Sequence, residues 1–315
     1  MRILAIDGGG IRGLIPAIVL AEVEQRTGRA IADCFDLIAG TSTGGILACA
    51  LTRPGPGGSR YSAQELNGLY ESEGPKIFDR SLLKEIVSID GNIDERYDDD
   101  GLNTALRDYL GDDRISEART DILVTAYDIE RRGAWFFRSA LARTDPTRDF
   151  TMADAARATS AAPTYFEPAL VRPVAGGEAS ALIDGGVFAV NPSMCALAEV
   201  AHAGRRDEIE LLASLGTGSH TRPLHYADVR GWGRLEWAAP IIDVVFDGVA
   251  DTTEFELRQL LAPERYLRLQ IELNAASDDL DDASAGNLRR LRAEAERLLR
   301  EQSAGVDRLV AALSA

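Results

Sequence analysis

An α/β fold built on a mostly parallel central sheet follows from three features of this 315-residue sequence. The chain opens in the order strand, glycine-rich loop, helix, strand, tight turn, helix, which is how parallel strands joined by crossover helices read. Its first two strands are short, largely apolar runs, Ile3-Leu4-Ala5-Ile6 and Phe35-Asp36-Leu37-Ile38-Ala39, as buried strands are. With 45% hydrophobic and 27% charged residues, the chain can bury one large core, or two ordinary ones, without staples.

Taken in order, Arg2 to Ile6 is the first strand, and Asp7-Gly8-Gly9-Gly10-Ile11-Arg12-Gly13 is the loop after it. Leu14 to Arg26 reads as an amphipathic helix, with Leu14, Ala17, Ile18 and Ala21 apolar and Glu22, Gln25 and Arg26 polar. Pro16 fits its first turn and Thr27-Gly28 ends it. A strand from Phe35 to Ala39 leads through Gly40-Thr41-Ser42-Thr43-Gly44 into a small-residue helix, Gly45 to Ala50. The Pro/Gly stretch after Arg53 is a surface loop. Helices follow over Gln64 to Glu73 and Gly101 to Leu110. The Asp98-Asp99-Asp100 cluster lacks the alternating carboxylates and closing glutamate of a calcium loop, and reads as a solvated helix start.

Asp121 to Tyr127 and Ala134 to Ser139 form a hairpin, and Thr151 caps a helix that runs to Ala158. Ala181-Leu182-Ile183 is a short strand ending in Asp184-Gly185-Gly186. Asn191 to His202 is a helix, and Ile209 to Leu215 is a strand that exits through Gly216-Thr217-Gly218. Beyond Pro240 come a helix, a strand at Tyr266 to Ile271, an acidic loop at Ser277 to Asp282, and a long charged helix from Asn287. The stripe Leu288, Leu291, Ala295, Leu298 and Leu299 on that helix is expected to dock on the body, with a partner-binding helix as the alternative. No repeat or low-complexity tract is evident.

A formal net charge of −16 argues against nucleic acid and against an electrostatic anchor on anionic lipid. It leaves lipids reached by apolar contact open. Cys34, Cys49 and Cys195 are scattered and odd in number, so buried thiols are the better reading. The start of the chain shows no signal-peptide pattern, and no run reaches the roughly 18–20 apolar residues of a membrane span, so a cytoplasmic protein is expected. No metal site and no cofactor are expected.

Two stretches carry chemistry. Gly40-Thr41-Ser42-Thr43-Gly44 has the G-x-S-x-G spacing of a nucleophile elbow, flanked by a strand and a helix as that turn requires. Small residues two before and two after Ser42 keep the crowded turn free of collisions, and the turn lifts the hydroxyl out at the sheet edge. Gly8 to Gly13 satisfies G-x-G-x-x-G between a strand and a helix. A dinucleotide site would need an acidic residue at the carboxyl end of the next strand. That place is held by Gly40-Thr41-Ser42, while Asp33 and Asp36 lie before the strand or at its start, so the dinucleotide reading fails. Successive glycine N–H groups at a helix start instead suit an oxyanion hole, beside the elbow if the strands are adjacent.

Asp184-Gly185-Gly186 is by itself an ordinary turn. The histidines His202, His220 and His225 lie in no motif. Ser42, Asp184 and His220 follow the α/β-hydrolase order, but that fold places its elbow after several strands, and here it ends the second.

Asp7 to Gly13, Gly40 to Gly44 and Asp184-Gly185-Gly186 together resemble the signature blocks of the patatin-like phospholipases. The resemblance continues through Ala158-Thr159-Ser160-Ala161-Ala162-Pro163-Thr164-Tyr165-Phe166 and Ser214-Leu215-Gly216-Thr217-Gly218, covering residues 1 to about 220. It implies a three-layer α/β/α sandwich and a Ser-Asp dyad without histidine. On that reading residues 1–225 are the catalytic domain, and 226–315 a mainly helical extension packed on the same body. Ser42 is then the nucleophile and Asp184 the base. Gly9, Gly10 and Ile11 offer oxyanion N–H groups, and Arg12 steadies the loop or meets a lipid phosphate. The reaction implied is ester hydrolysis through an acyl-enzyme, by a phospholipase A, lysophospholipase or esterase.

A free aspartate, with a pKa of about 3.9, is a poor base near neutrality. The dyad therefore predicts a shielded Asp184 with a raised pKa, within hydrogen-bond reach of Ser42. An apolar acyl pocket is expected around Tyr165-Phe166, with Trp135, Phe136 and Phe137 as further candidates or as core. The expected partner is a lipid or acyl ester, met by transient membrane or micelle contact. A histidine-dependent esterase using His220, and an inactive interaction scaffold, are the alternatives.

Overall fold

A computed structural model of the chain describes residues 1–78, 84–87, 93–97, 99–219, 223–237 and 240–314. Eight strands form the main sheet: β1 (Arg2–Ile6), β2 (Leu37–Gly40), β3 (Asp121–Asp128), β4 (Gly133–Arg138), β5 (Ala169–Val171), β6 (Ser180–Asp184), β7 (Leu211–Leu215) and β8 (Tyr266–Leu269). Their order is β8-β7-β1-β2-β3-β6-β5, with β4 also paired to β3. The first five in that order are parallel, and β4, β5 and β6 are antiparallel additions.

The strands are apolar throughout because both faces are covered. Along β1, Leu4 and Ile6 enter one core while Ile3 and Ala5 enter the other, and β2 divides Ile38 from Leu37 and Ala39 in the same way. Helices α1 (Leu14–Thr27), α2 (Thr43–Thr52), α3 (Asp99–Leu110) and α4 (Met152–Thr159) supply the larger core. On the opposite face lie α5 (Ser193–His202) and the end of α6 (Pro240–Leu260), through Leu197, Val200 and Leu257. The result is a three-layer α/β/α sandwich with a mostly parallel sheet.

The helix α1 is not one-sided, as its sequence pattern suggests. It is buried all round from Leu14 to Leu20, because α7 (Ala285–Glu301) and α8 (Ser303–Ser314) pack over its outer side. The stripe Leu288, Leu291, Ala295 and Leu298 on α7 is buried there, while Leu299 is half-buried. Strand β8 extends the same sheet beyond β7, so residues after 225 contribute to both sheet and core.

The stretch expected as one helix over Gln64 to Glu73 is α-helical only at Ala63–Gly68, where Ser62 and Glu65 close a capping box. It then widens into a π-turn at Leu69–Glu73, a feature often met at functional sites. Asp98 lies outside the described residues. Asp99, at the start of α3, is tied to Arg157 at 2.6 Å rather than simply solvated. All three cysteines are free, with Cys34 and Cys49 buried. Among the described residues no helix is long and apolar enough to cross a membrane, and no cluster could hold a metal ion.

Candidate active site

The site sits where the parallel strands end. Both β2 and β6 pair with the same edge of β3, since β4 occupies the other edge at the same residues. The parallel strand β2 runs up that edge and stops with Gly40 opposite Val124. The antiparallel strand β6 runs down it and stops with Asp184 opposite Ala126. Two strands aimed at one another along one edge thus bring Ser42, just past Gly40, to Asp184.

The elbow is strained in the manner such a turn requires. Ser42 holds φ 54° and ψ −124°, one of the few non-glycine residues here at positive φ. The surroundings over-determine it. Its N–H donates to Thr159 Oγ1 at 2.8 Å, and its carbonyl accepts from Gly45 and Ile46 at 2.8 and 3.0 Å. Thr41 Oγ1 donates to the Ala189 carbonyl at 2.6 Å and meets Thr125 Oγ1 at 2.7 Å. Thr43 Oγ1 meets Tyr70 OH at 2.6 Å. A β-carbon at Gly40 would collide with the Gly44 carbonyl, and one at Gly44 with that of Ile6, so both positions exclude a side chain.

Asp184 is 1% exposed. Its N–H donates to the Ala161 carbonyl at 3.0 Å, and its Oδ1 accepts from Gly186 N at 2.7 Å. Burial pushes its pKa up to about 7, opposed by the Ser42 hydroxyl and the Gly186 amide. Ser42 is thus near enough to act on the carboxylate. Yet Oδ2 has no hydrogen-bond partner of ordinary geometry, so the direct Ser42–Asp184 hydrogen bond expected from the sequence is not formed. Gly185 and Gly186 pass close to Thr125 and Phe246, which holds the turn after Asp184 in place.

The glycine loop lies beside the elbow because β1 and β2 are neighbours, with Ile6 opposite Gly40. Gly8 is packed near the Ser42 side chain and donates its N–H to Val190 O at 2.9 Å. Gly10 takes φ 55°, where a β-carbon would also strike the Leu280 carbonyl. That same carbonyl accepts the Ile11 N–H at 2.9 Å. Ile11 therefore does not offer its amide to a substrate, as its place in the loop suggests. The N–H groups of Gly9 and Gly10 are left with no acceptor among the described residues. From behind, Thr217 Oγ1 donates to Gly8 O at 2.7 Å, and Asp7 pairs with buried Arg268 at 2.5 Å. Gly13 gives room for Thr43 and Tyr70.

Arg12 is buried, and its Nε donates to the Gly9 carbonyl at 3.3 Å. Burial lowers its pKa, while the carboxylates of Asp243, Asp247 and Asp279 oppose that. Of the two roles open to it, steadying the loop is the one this setting favours.

The cleft above Ser42 and Asp184 is apolar. Tyr165 and Phe166 line it, joined by Ile11, Ile46, Leu69, Tyr70, Ile77, Phe78, Leu102, Phe246 and Leu280. Trp135, Phe136 and Phe137 do not. Trp135 and Phe137 pack with Phe150 in the larger core, and Phe136 turns to the other sheet face against Phe188. Alternation along β4 sends Trp135 and Phe137 to one face of the sheet and Phe136 to the other. Among the described residues no histidine lines it. His202 and His225 are exposed, and His220 lies outside the described residues.

Several contributors escape sequence reasoning. Thr159 lies in a visible motif block, but only the fold shows its hydroxyl on the Ser42 amide. Ile46, four residues after Ser42 on α2, could have been found from helical spacing. Phe246 and Leu280 come from the tail and carry no local signal. Leu280 is held because buried Asn287 accepts from Ser277 N and donates to Asp282 O, each at 2.8 Å, clasping the acidic loop.

Comparison with known proteins places the chain in a family. The family model for the patatin-like phospholipases matches residues 4–197, a span that includes the glycine loop, the elbow and Asp184. Patatin-like protein 2 of Arabidopsis thaliana is 36% identical, over 98% of this chain and 84% of that protein. Patatin-like protein 2 of Oryza sativa subsp. indica is 32% identical, over 98% and 85%. A Solanum tuberosum protein named "Probable inactive patatin-3-Kuras 1" is 31% identical, over 96% and 87%. The chain therefore belongs to the patatin-like phospholipase family, whose general chemistry is lipid acyl hydrolysis.

Proposed function

We propose that this protein hydrolyses carboxylic esters of lipids through an acyl-enzyme on Ser42, with Asp184 as general base and then general acid. Since one relative carries "inactive" in its name, family membership alone does not carry the reading. The observation that does is a serine at φ 54° beside a carboxyl group 1% exposed, its pKa pushed up to about 7.

The steps follow from the groups present. Ser42 Oγ attacks the acyl carbonyl while Asp184, through Oδ2, takes the hydroxyl proton. Oδ1 stays engaged with Gly186 N, which leaves Oδ2 as the working oxygen. Negative charge gathers on the former carbonyl oxygen, where the Gly9 and Gly10 amides can receive it, and such donors are each worth roughly 10²–10³ in rate. Protonated Asp184 then gives its proton to the departing alcohol oxygen. Water enters, loses a proton to Asp184 and attacks the Ser42 ester, and Asp184 returns that proton to Ser42 Oγ as the fatty acid leaves.

A pKa near 7 lessens the main objection to an aspartate base. A carboxylate at its ordinary pKa would leave proton abstraction from a serine far uphill, and a matched base lessens that gap. The apolar walls from Ile11, Phe78, Phe166 and Phe246 suit a hydrocarbon chain, and no metal or cofactor enters the scheme. The test is hydrolysis of p-nitrophenyl esters of graded length and of phospholipids by the parent and by Ser42→Ala. Turnover lost in the variant supports the scheme, and equal turnover ends it.

A further inference from the structure

The helix α6 has two apolar faces, and the scheme above uses one. Inward, Ile242 and Phe246 pack with Val190 and Leu280, and Phe246 walls the cleft. Outward, Ile241, Val244 and Val245 are 43, 44 and 39% exposed. Their spacing of three and four residues gathers them on one side as an aliphatic patch, and exposed Phe255 lies on the same side further along. A contiguous apolar patch on an otherwise charged helix marks a contact surface.

Charge narrows what the patch can meet. Of the carboxylates on α6, Asp243 and Asp247 act on Arg12 and Glu254 pairs with Arg258 and Arg268, while Asp251 and Glu256 are exposed, and the chain as a whole is −16. An anionic layer is repelled. A headgroup whose outermost group is a quaternary or primary ammonium is complemented by Asp251 and Glu256 while the aliphatic side chains enter the layer. Resting on the reading of the site as a lipid acyl hydrolase, we propose that the outer face of α6, centred on Ile241, Val244 and Val245, docks the protein on a zwitterionic lipid surface beside the cleft. Docking face and acyl wall are then two sides of one helix.

The test separates docking from catalysis. Ser42→Ala protein is sedimented with phosphatidylcholine vesicles and with phosphatidylglycerol vesicles, so that nothing is hydrolysed. At least tenfold more protein is expected on phosphatidylcholine. Adding Ile241→Ser, Val244→Ser and Val245→Ser should cut that binding at least tenfold, and Val244→Glu alone should act in the same direction should the triple variant fold poorly. With Ser42 restored, the triple variant should hydrolyse a soluble short-chain ester within twofold of the parent. Undiminished vesicle binding by both variants, or preference for phosphatidylglycerol, overturns the proposal. So does a parent dimer that the triple variant converts to monomer in sedimentation velocity, since the patch then belongs to a second copy. Failure of the parent to hydrolyse any ester would instead refute the catalytic reading and leave vesicle binding as the measure of docking.

Discussion

Gly40 and Asp184 end two strands that meet head-on along one edge of β3, opposite Val124 and Ala126. This register brings the turn that carries Ser42, just beyond Gly40, to the strand end that carries Asp184, and the chemistry proposed for the protein rests on that approach.

The base must be ionised to accept a proton. With the pKa of Asp184 pushed up to about 7, kcat/KM should fall about tenfold per pH unit below 7 and level off above it. An imidazole base would give a similar limb. Carboxyl ionisation, however, has an enthalpy near zero, so the midpoint should barely move between cold and warm assays. A midpoint that shifts strongly downward on warming would point to histidine.

The same pKa has a cost in stability. Between an unfolded pKa of about 3.9 and a folded one of about 7, the native state holds a proton that the unfolded state has lost. This group's favourable contribution is therefore full below pH 4 and lost as pH rises through 7. At pH 8 the cost is about 4 kcal/mol as an upper figure. Asp184→Asn should melt several degrees above the parent at pH 8, and the gap should close by pH 4. Calorimetry at the two pH values reads it directly.

Thr159 is fully buried and accepts the Ser42 amide proton at 2.8 Å. Thr159→Val strands that N–H, which should cost about 1–3 kcal/mol in denaturant stability. Because the elbow is strained, kcat should fall roughly 10- to 100-fold with KM nearly unchanged. Thr159→Ser should recover most of the rate.

Arg12 separates two roles by kinetics. If it steadies the loop from among Asp243, Asp247 and Asp279, Arg12→Gln lowers kcat about tenfold on phospholipid and p-nitrophenyl ester alike. If it grips a phosphate, KM rises for the phospholipid only. The first outcome is expected.

Much of this site is legible in the sequence because its parts are local. A strand, a glycine turn and a small-residue helix in succession specify the elbow, whereas Asp184 sits in an ordinary Asp-Gly turn and is singled out only by the family resemblance. The Gly8 to Gly13 loop is legible as a donor cradle, but not which amides stay free. That depends on Leu280, whose carbonyl reaches Ile11 from far along the chain. The cleft walls fail for the same reason. Tyr165 and Phe166 follow a recognisable block. Phe246 and Leu280 arrive only through α6 and the loop clasped by Asn287, and Trp135 and Phe137 are drawn into the core by Phe150.

The most direct measurement is intact-mass analysis after exposure to a fluorophosphonate, made on protein in which His202, His220 and His225 are all replaced by alanine. One adduct on Ser42, formed at close to the parent rate and abolished by Asp184→Asn, is the predicted result. Loss of labelling on removing the histidines, or labelling that survives Asp184→Asn unchanged, would contradict the account.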